Sequence, residues 1–368
     1  MKPPLANEVE VCLLGPGFGE SSAVHVGGGK WIIVDSCIDR TTKKPAALAY
    51  LASIGVDVAL AVELIIITHW HDDHIRGLSE VVGQCKAARV GLSAAFREDE
   101  FLNFVELFGR SKNSIVSSGV DEISAAVNTL KRSGRKVTAI TAAKRLLQRP
   151  SVDGLPEVEV WGLSPSDAQF GLAMAHIASQ LPKVMSPKRR VPEPEHNDLS
   201  VATWIRVGNQ AILLGADLEE VGRPDLGWSA VLADPGRPPG KAILFKIPHH
   251  GSSNGHHDGV WSEMLFSEPT AMLTPYSKGW GLPRDTDVDR ILGYAPQSYT
   301  TATLSPSKLR RYRPRAVEKT ISEVAQRITA ALTPAGFVRA RFTPPGAQVS
   351  IALSGNACHL ADYVREES

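Results

Sequence analysis

A mixed α/β fold is what this sequence predicts, and three features carry the prediction. The first forty residues read as strands separated by glycine turns; a predominantly apolar strand, Val62 to Thr68, runs directly into a histidine cluster; and further apolar strands return after residue 195. Strands this apolar are usually buried on both faces, so other layers must cover them.

Element by element, Val9 to Leu14 is apolar and β-prone, Gly15-Pro16-Gly17-Phe18-Gly19 is a turn, and Ser22 to Val26 extends again. Gly27-Gly28-Gly29 then leads into Trp31-Ile32-Ile33-Val34-Asp35, and a β-meander is the simplest reading. A helix is expected from Lys44 to Ile54, stopped by Gly55. From about Gly77 to Arg149 the pattern is mostly helical, with Glu98 to Phe108 and Glu122 to Arg132 the best-supported helices. Gly154 to Pro165 returns to strand, and Leu181 to Glu195, with four prolines and four basic residues, reads as a mobile loop. Leu199 to Val207, Ala211 to Gly215 and Ala242 to Ile247 are strands, the first two joined at Gly208-Asn209. A basic stretch, Lys308 to Arg315, a helix from Val317 to Leu332 and a strand pair around Phe337 to Phe342 and Gln348 to Leu353 complete the chain.

Composition excludes several classes. No apolar run approaches the roughly 18 residues of a membrane span, and MKPPLANEVE lacks the apolar core of an export signal, so a cytoplasmic protein with no membrane partner is expected. Cys12, Cys37, Cys85 and Cys358 form no C-x-x-C pair, which argues against a zinc ribbon or disulfide scaffold and for ordinary small core residues. With 40 basic against 39 acidic side chains, net charge points to no anionic partner. The informative excess is histidine.

Thr68-His69-Trp70-His71-Asp72-Asp73-His74 follows the apolar strand directly. Imidazole and carboxylate are preferred ligands of a borderline metal such as zinc, and a loop leaving a rigid strand can aim several of them inward at once. The glycines at 15, 17 and 19 lack the spacing of a dinucleotide fingerprint and any Walker lysine, so they read as a plain turn. His25, His176 and His359 have no motif neighbours and read as structural, and His256 and His257 read as surface residues, with contact to substrate as the alternative.

The cluster resembles the H-x-H-x-D-H signature of the metallo-β-lactamase fold family, present as His69, His71, Asp73 and His74. Further segments are similar to those of one branch, the hydrolase domains of bacterial DNA-uptake channel proteins and their stand-alone relatives. These are Gly17-Phe18-Gly19-Glu20, Ile32 to Asp35, Asn197 to Val201, Leu213 to Glu219, Pro248-His249-His250-Gly251-Ser252 and Lys278 to Pro283. Leu282 stands where that branch usually has His, and His196 where it commonly has Asn.

The resemblance implies a four-layer αββα sandwich holding two divalent ions, Zn2+ foremost with Mn2+ as the alternative. It implies one catalytic domain over residues 1–300, with a helical insertion at about 78–150, and a C-terminal extension, 301–368, packed on it. It places one metal among His69, His71 and His196 and the other among Asp73, His74 and His250, with Asp217 bridging. His249 and His250 could exchange roles; His250 is preferred as ligand and His249 as the residue facing substrate. The catalytic set it implies is Asp73, Asp217 and His249, with Asn197, Ser252 and Lys278 as substrate contacts; Asp35 reads as a carboxylate that orients a ligand histidine, with a catalytic role as the alternative.

Such a pair of ions can hold a hydroxide at neutral pH and polarise a phosphoryl or carbonyl oxygen. The expected function is a phosphodiesterase or nuclease acting on an anionic substrate, nucleic acid or nucleotide, supported by the basic runs Lys188 to Arg190 and Lys308 to Arg315, the latter with Tyr312 available for stacking. Alternatives are a hydrolase of a carboxylic ester, lactone, thioester or lactam, and a non-catalytic binding module. Oligomeric state is not legible.

Overall fold

A computed structural model describes residues 1–94, 118–180, 196–277, 281–303 and 336–363. The expected helix Glu98 to Phe108, the loop 181–195, Lys278, Trp280, the basic stretch Lys308 to Arg315 with Tyr312, and the helix Val317 to Leu332 lie outside the described residues.

Two sheets of eight strands, numbered in chain order, organise the chain. The first contains β1 (Val9–Leu14), β2 (Ser21–Val26), β3 (Trp31–Val34), β4 (Val62–Ile67), β5 (Arg89–Ser93), β6 (Val137–Ile140), β14 (Phe337–Phe342) and β15 (Ser350–Ser354), in the order β15-β14-β1-β2-β3-β4-β5-β6. The second contains β7 (Lys144–Arg149), β8 (Val158–Gly162), β9 (Thr203–Val207), β10 (Gln210–Leu214), β11 (Ala242–Lys246), β12 (Leu265–Leu273), β13 (Ser298–Thr300) and β16 (Cys358–His359), in the order β16-β13-β12-β11-β10-β9-β8-β7. Helices α1 (Ala46–Ser53), α2 (Val58–Ala61), α3 (Asp72–Ile75), α4 (Leu78–Gln84) and α5 (Ser118–Ser133) belong to the first half, and α6 (Asp167–Gln180), α7 (Gly227–Ala233) and α8 (Asp285–Tyr294) to the second.

Strand periodicity explains how the layers form, because successive side chains leave a strand on opposite faces. In β1, Val9, Val11 and Leu13 join Val24, Ile32, Leu64 and Ile66 in a core shared with Val158, Val160, Ile205, Ile212, Leu244 and Met272 of the second sheet. That core sits between the sheets. The alternate residues Cys12 and Leu14 turn the other way, packing with Ile33, Ile65 and Ile67 against Leu48 and Leu51 of α1, Val81 of α4 and Ile123 and Leu130 of α5. On the far side Trp204, Leu213 and Phe245 meet Trp228 and Val231 of α7 and Val288 and Ile291 of α8. The result is helix, sheet, sheet, helix, the αββα sandwich expected. No helix of the described residues is long and apolar enough to cross a membrane.

Two expectations need correction. Residues 78–150 are not a helical insertion throughout: besides α4 and α5 they contribute β5 and β6 to the first sheet and β7 to the second. In β7 the ladder shifts register between Arg145 and Leu147, so Leu146 and Leu147 are apolar in succession and the period of two is broken in the sequence itself. Likewise Leu199 to Val207 is not one strand. His196–Leu199 is a 3-10 turn and β9 starts at Thr203, because the intervening backbone bonds across to other segments, Val201 N to Thr68 O at 3.2 Å and Ala202 N to Ser164 Oγ at 2.8 Å. His196 therefore does not sit at a strand end.

Strands β3 to β6 run parallel, as do β10 to β13. Asp35, Thr68, Asp217, His249 and Thr274 follow within a few residues of the carboxyl ends of β3, β4, β10, β11 and β12, the edge where open α/β sheets gather their ligands.

Near the N-terminus, Glu10 of β1 is fully buried; Tyr50 Oη of α1 donates to it at 2.5 Å and Arg341 Nε of β14 at 2.5 Å. Arg341→Ala leaves a buried carboxylate without its cation and should lower stability by about 3 kcal/mol, read as a lower midpoint in urea unfolding. An unchanged midpoint would contradict this account of the β1–β14 seam.

Candidate metal centre

Asp35 is the first residue beyond β3 and stands at φ 58°, a left-handed backbone that Asp tolerates better than most residues. That turn carries its carboxylate under the histidine loop. Oδ1 accepts from Thr68 N at 2.8 Å, and Oδ2 accepts from Thr68 Oγ1 at 2.6 Å and from His74 Nδ1 at 2.8 Å. Thr68 Oγ1, its own proton given to Asp35, accepts from His69 Nδ1 at 2.9 Å. On the opposite sheet His250 Nδ1 donates to Thr274 O at 3.0 Å. In all three imidazoles Nδ1 is tied outward, and Nε2 is turned toward one buried centre.

Two carboxylates complete that centre. Asp217 Oδ2 lies 3.4 Å from His74 Nε2, 3.7 Å from His250 Nε2 and 3.8 Å from His69 Nε2, and Asp73 Oδ2 lies 3.3 Å from His250 Nε2. Candidate ligand atoms fall into the sets Asp73, His74, Asp217, His250 and His69, His71, Asp217, with Asp217 common to both. A third set, Asp35 with His69 and His74, is already accounted for by hydrogen bonds to Thr68 and to His74 Nδ1.

The donors fit a metal. His69 Nε2, His74 Nε2 and Asp217 Oδ1 are buried without a hydrogen-bond partner among the described residues, a costly arrangement that a cation would relieve. Imidazole nitrogen and carboxylate oxygen also match the ligand preference of zinc.

Charge tells the same story. Burial alone would push His74 and His250 down, but the charges of Asp217 and Asp73 outweigh it and hold both above the ordinary imidazole value, with Asp35 adding to the effect on His74. Burial also opposes ionisation of Asp73 and Asp217, and the same imidazoles outweigh it, holding both below the usual carboxylate range. Each pair thus favours positive charge on the imidazoles and negative charge on the carboxylates, the arrangement that a cation would also favour. His69 is pushed down by burial and then by the charge of His74, and His71 by burial.

The remaining site residues fall as follows. His249 is outside the cluster: Nδ1 faces Asn254 Oδ1 at 2.9 Å and Glu219 Oε1 at 3.2 Å, and Nε2 is 3.3 Å from Asn197 Nδ2. His249, His250 and Gly251 all have positive φ, and the sharp turn sends the paired histidines to different sides. Asn197 donates to Glu219 Oε1 at 2.6 Å. Ser252 closes the turn, its N–H returning to His249 O at 2.9 Å. The side chain of His196, and Lys278 altogether, lie outside the described residues. His256 and His257 bond to Asp258 and Ser229, away from the cluster. Thr68, Thr274, Glu20, Glu219 and Lys246 are participants to which sequence reasoning gave no role. For Lys246 the signal was present, a single cation inside the apolar strand AILFK.

Residues 14–139 match the family model described as Metallo-beta-lactamase superfamily, a span from the end of β1 into β6 that includes the His69 to His74 loop. No curated protein matches the chain. Solved structures similar to it include the Rm3 metallo-beta-lactamase, at 13% identity over 64% of this chain and 68% of that one with a TM-score of 0.32. Zn(2+)-bound PqqB from Methylobacterium extorquens is 13% identical over 65% of this chain and 72% of that one, with a TM-score of 0.33. With the two sheets and their helical layers, the superfamily match identifies the metallo-β-lactamase fold.

Asp35→Asn keeps the tolerance for a left-handed backbone but removes the charge that holds His74. It should weaken divalent-metal affinity by about 10- to 100-fold with the circular dichroism spectrum unchanged, measured by chelator competition. The pH dependence has a definite sign. Because the imidazole values of His74 and His250 are raised and a ligating nitrogen must be free of its proton, affinity should rise with pH and fall on acidification. Calorimetric titration in two buffers of different ionisation enthalpy reads the released protons, and an uptake independent of buffer would contradict the protonation pattern.

Proposed function

We propose that this chain, with its metallo-β-lactamase superfamily domain, is a metal-dependent hydrolase that takes two divalent ions, Zn2+ in the first instance, and cleaves phosphodiesters of nucleic acid or nucleotides. The observation that carries the reading is the pair of candidate ligand sets sharing Asp217 at the carboxyl edge of both sheets. When bound, such ions lower the pKa of water and polarise the oxygen of the bond to be cleaved.

The chain's own residues supply the rest. Asp35 and Thr68 fix the rings of His74 and His69, and Thr274 fixes that of His250, so the ligand nitrogens are oriented before a metal arrives. Asp217 reaches both sets from the end of β10, its N–H held by Ser200 Oγ at 2.9 Å. His249, held by Asn254 and Glu219 at the half-buried rim with Nε2 beside Asn197, is the residue we assign to move a proton at the leaving oxygen. The preference for phosphodiesters rests on the similarity of Pro248 to Ser252 and the other segments to the DNA-uptake branch, together with the two basic runs.

Purified protein loaded with Zn2+ or Mn2+ should turn over bis-p-nitrophenyl phosphate and single-stranded DNA or RNA faster than nitrocefin or a thioester. Asp217→Ala should abolish that turnover while the chain stays folded. Faster hydrolysis of nitrocefin or thioester would assign the site to acyl substrates, and full turnover with Asp217→Ala would remove that residue from the centre.

A further inference from the structure

Lys246 ends β11 with 1% of its surface exposed, inside a strand whose other residues are all apolar and buried. An ammonium so placed is costly unless paired. Its Nζ lies 2.5 Å from Glu20 Oε1, donates to Ala216 O at 2.8 Å and stands 3.8 Å from Asp217 Oδ1, the carboxylate oxygen without a hydrogen-bond partner among the described residues. Ala216 has φ 44°, an unusual backbone for a residue with a Cβ, and Lys246 holds its carbonyl immediately before Asp217.

Glu20 extends the reach of the pair. Its backbone N–H donates to Asp73 O at 2.8 Å, and its Oε2 accepts from Thr274 Oγ1 at 2.5 Å. Thr274 O in turn accepts from His250 Nδ1. One buried ion pair therefore contacts the chain at Asp73, at Ala216–Asp217 and, through Thr274, at His250. These residues follow β4, β10 and β11, three strands divided between the two sheets.

We propose that Lys246 and Glu20 form a charge clamp that positions Asp73, Asp217 and His250 as one metal-holding set, an inference that rests on the reading of the cluster as a metal centre. His74, the fourth member of the set, is positioned separately by Asp35. The pair is neutral in sum, so it orders the carboxylates without adding a field that repels a cation. Without Glu20, a bare ammonium faces Asp217 and competes with the metal. Without Lys246, Glu20 carries unbalanced charge and the turn at Ala216 loses its anchor.

The test is cobalt uptake by the full chain, measured as affinity by chelator competition and as ligand field by the visible spectrum of bound Co2+. Glu20→Gln is the decisive variant because it is isosteric, with Lys246→Met and the charge-balanced double variant beside it. The clamp predicts that Glu20→Gln weakens Co2+ binding by about 10- to 100-fold and alters the visible spectrum, and that the double variant loses less than the two single losses combined. Wild-type affinity and spectrum in Glu20→Gln, even with lower thermal stability, would reduce the pair to a structural ion pair and overturn the proposal. A wild-type chain that takes up no cobalt overturns the metal reading, and the clamp with it; a wild-type chain that binds while the variants match it overturns the clamp alone.

Discussion

Two carboxylates, Asp73 and Asp217, are buried within 4 Å of shared imidazoles, and most of the surrounding structure follows from that concentration of charge. In a low-dielectric interior neither could ionise without compensation. Part of that compensation comes from His74 and His250, whose imidazole values are raised while those of the carboxylates are lowered. A cation would do the same work and also satisfy the ring nitrogens left without hydrogen bonds.

Keeping such a cluster assembled requires rigid support, and the fold provides it through parallel strand ends. Carboxyl ends of β3 and β4 in one sheet and of β10, β11 and β12 in the other open on the same edge, and each delivers a short turn with little freedom. Several turns use left-handed backbones at residues other than glycine, Asp35, Ala216, His249 and His250 among them. Conformations of that kind persist where the surroundings over-determine them. Here the surroundings are hydrogen bonds: Asp35 N to Ile66 O, Lys246 Nζ to Ala216 O, His249 N to Ala216 O and His250 Nδ1 to Thr274 O.

Much of this could be read beforehand. The strands Val9 to Leu14, Trp31 to Val34, Val62 to Ile67 and Ala242 to Lys246 were legible because each is a short, predominantly apolar run, interrupted only by Glu10, Glu63 and Lys246, that meets a turn or a loop carrying candidate ligands. The segments around β7 and β9 were not. A bulge displaces the pattern in β7, and bonds to Ser164 and Thr68 replace the sheet ladder ahead of β9, neither of which leaves a periodic trace. The roles of Thr68, Thr274 and Glu20 were hidden for a related reason, since a hydroxyl or a carboxylate acquires such a role only from what packs against it.

The sequence by itself determined the candidate ligand types and their local spacing, because His69, His71, Asp73 and His74 lie on one short loop that leaves a buried strand. Tertiary structure alone decided which of two adjacent histidines enters the cluster. The turn at positive φ aims His250 inward and leaves His249 with Glu219 and Asn254. Only the packed sheets, too, could bring Lys246 and Glu20, far apart in the chain, to 2.5 Å beside Asp217, since a buried charge finds its partner through space and not through sequence.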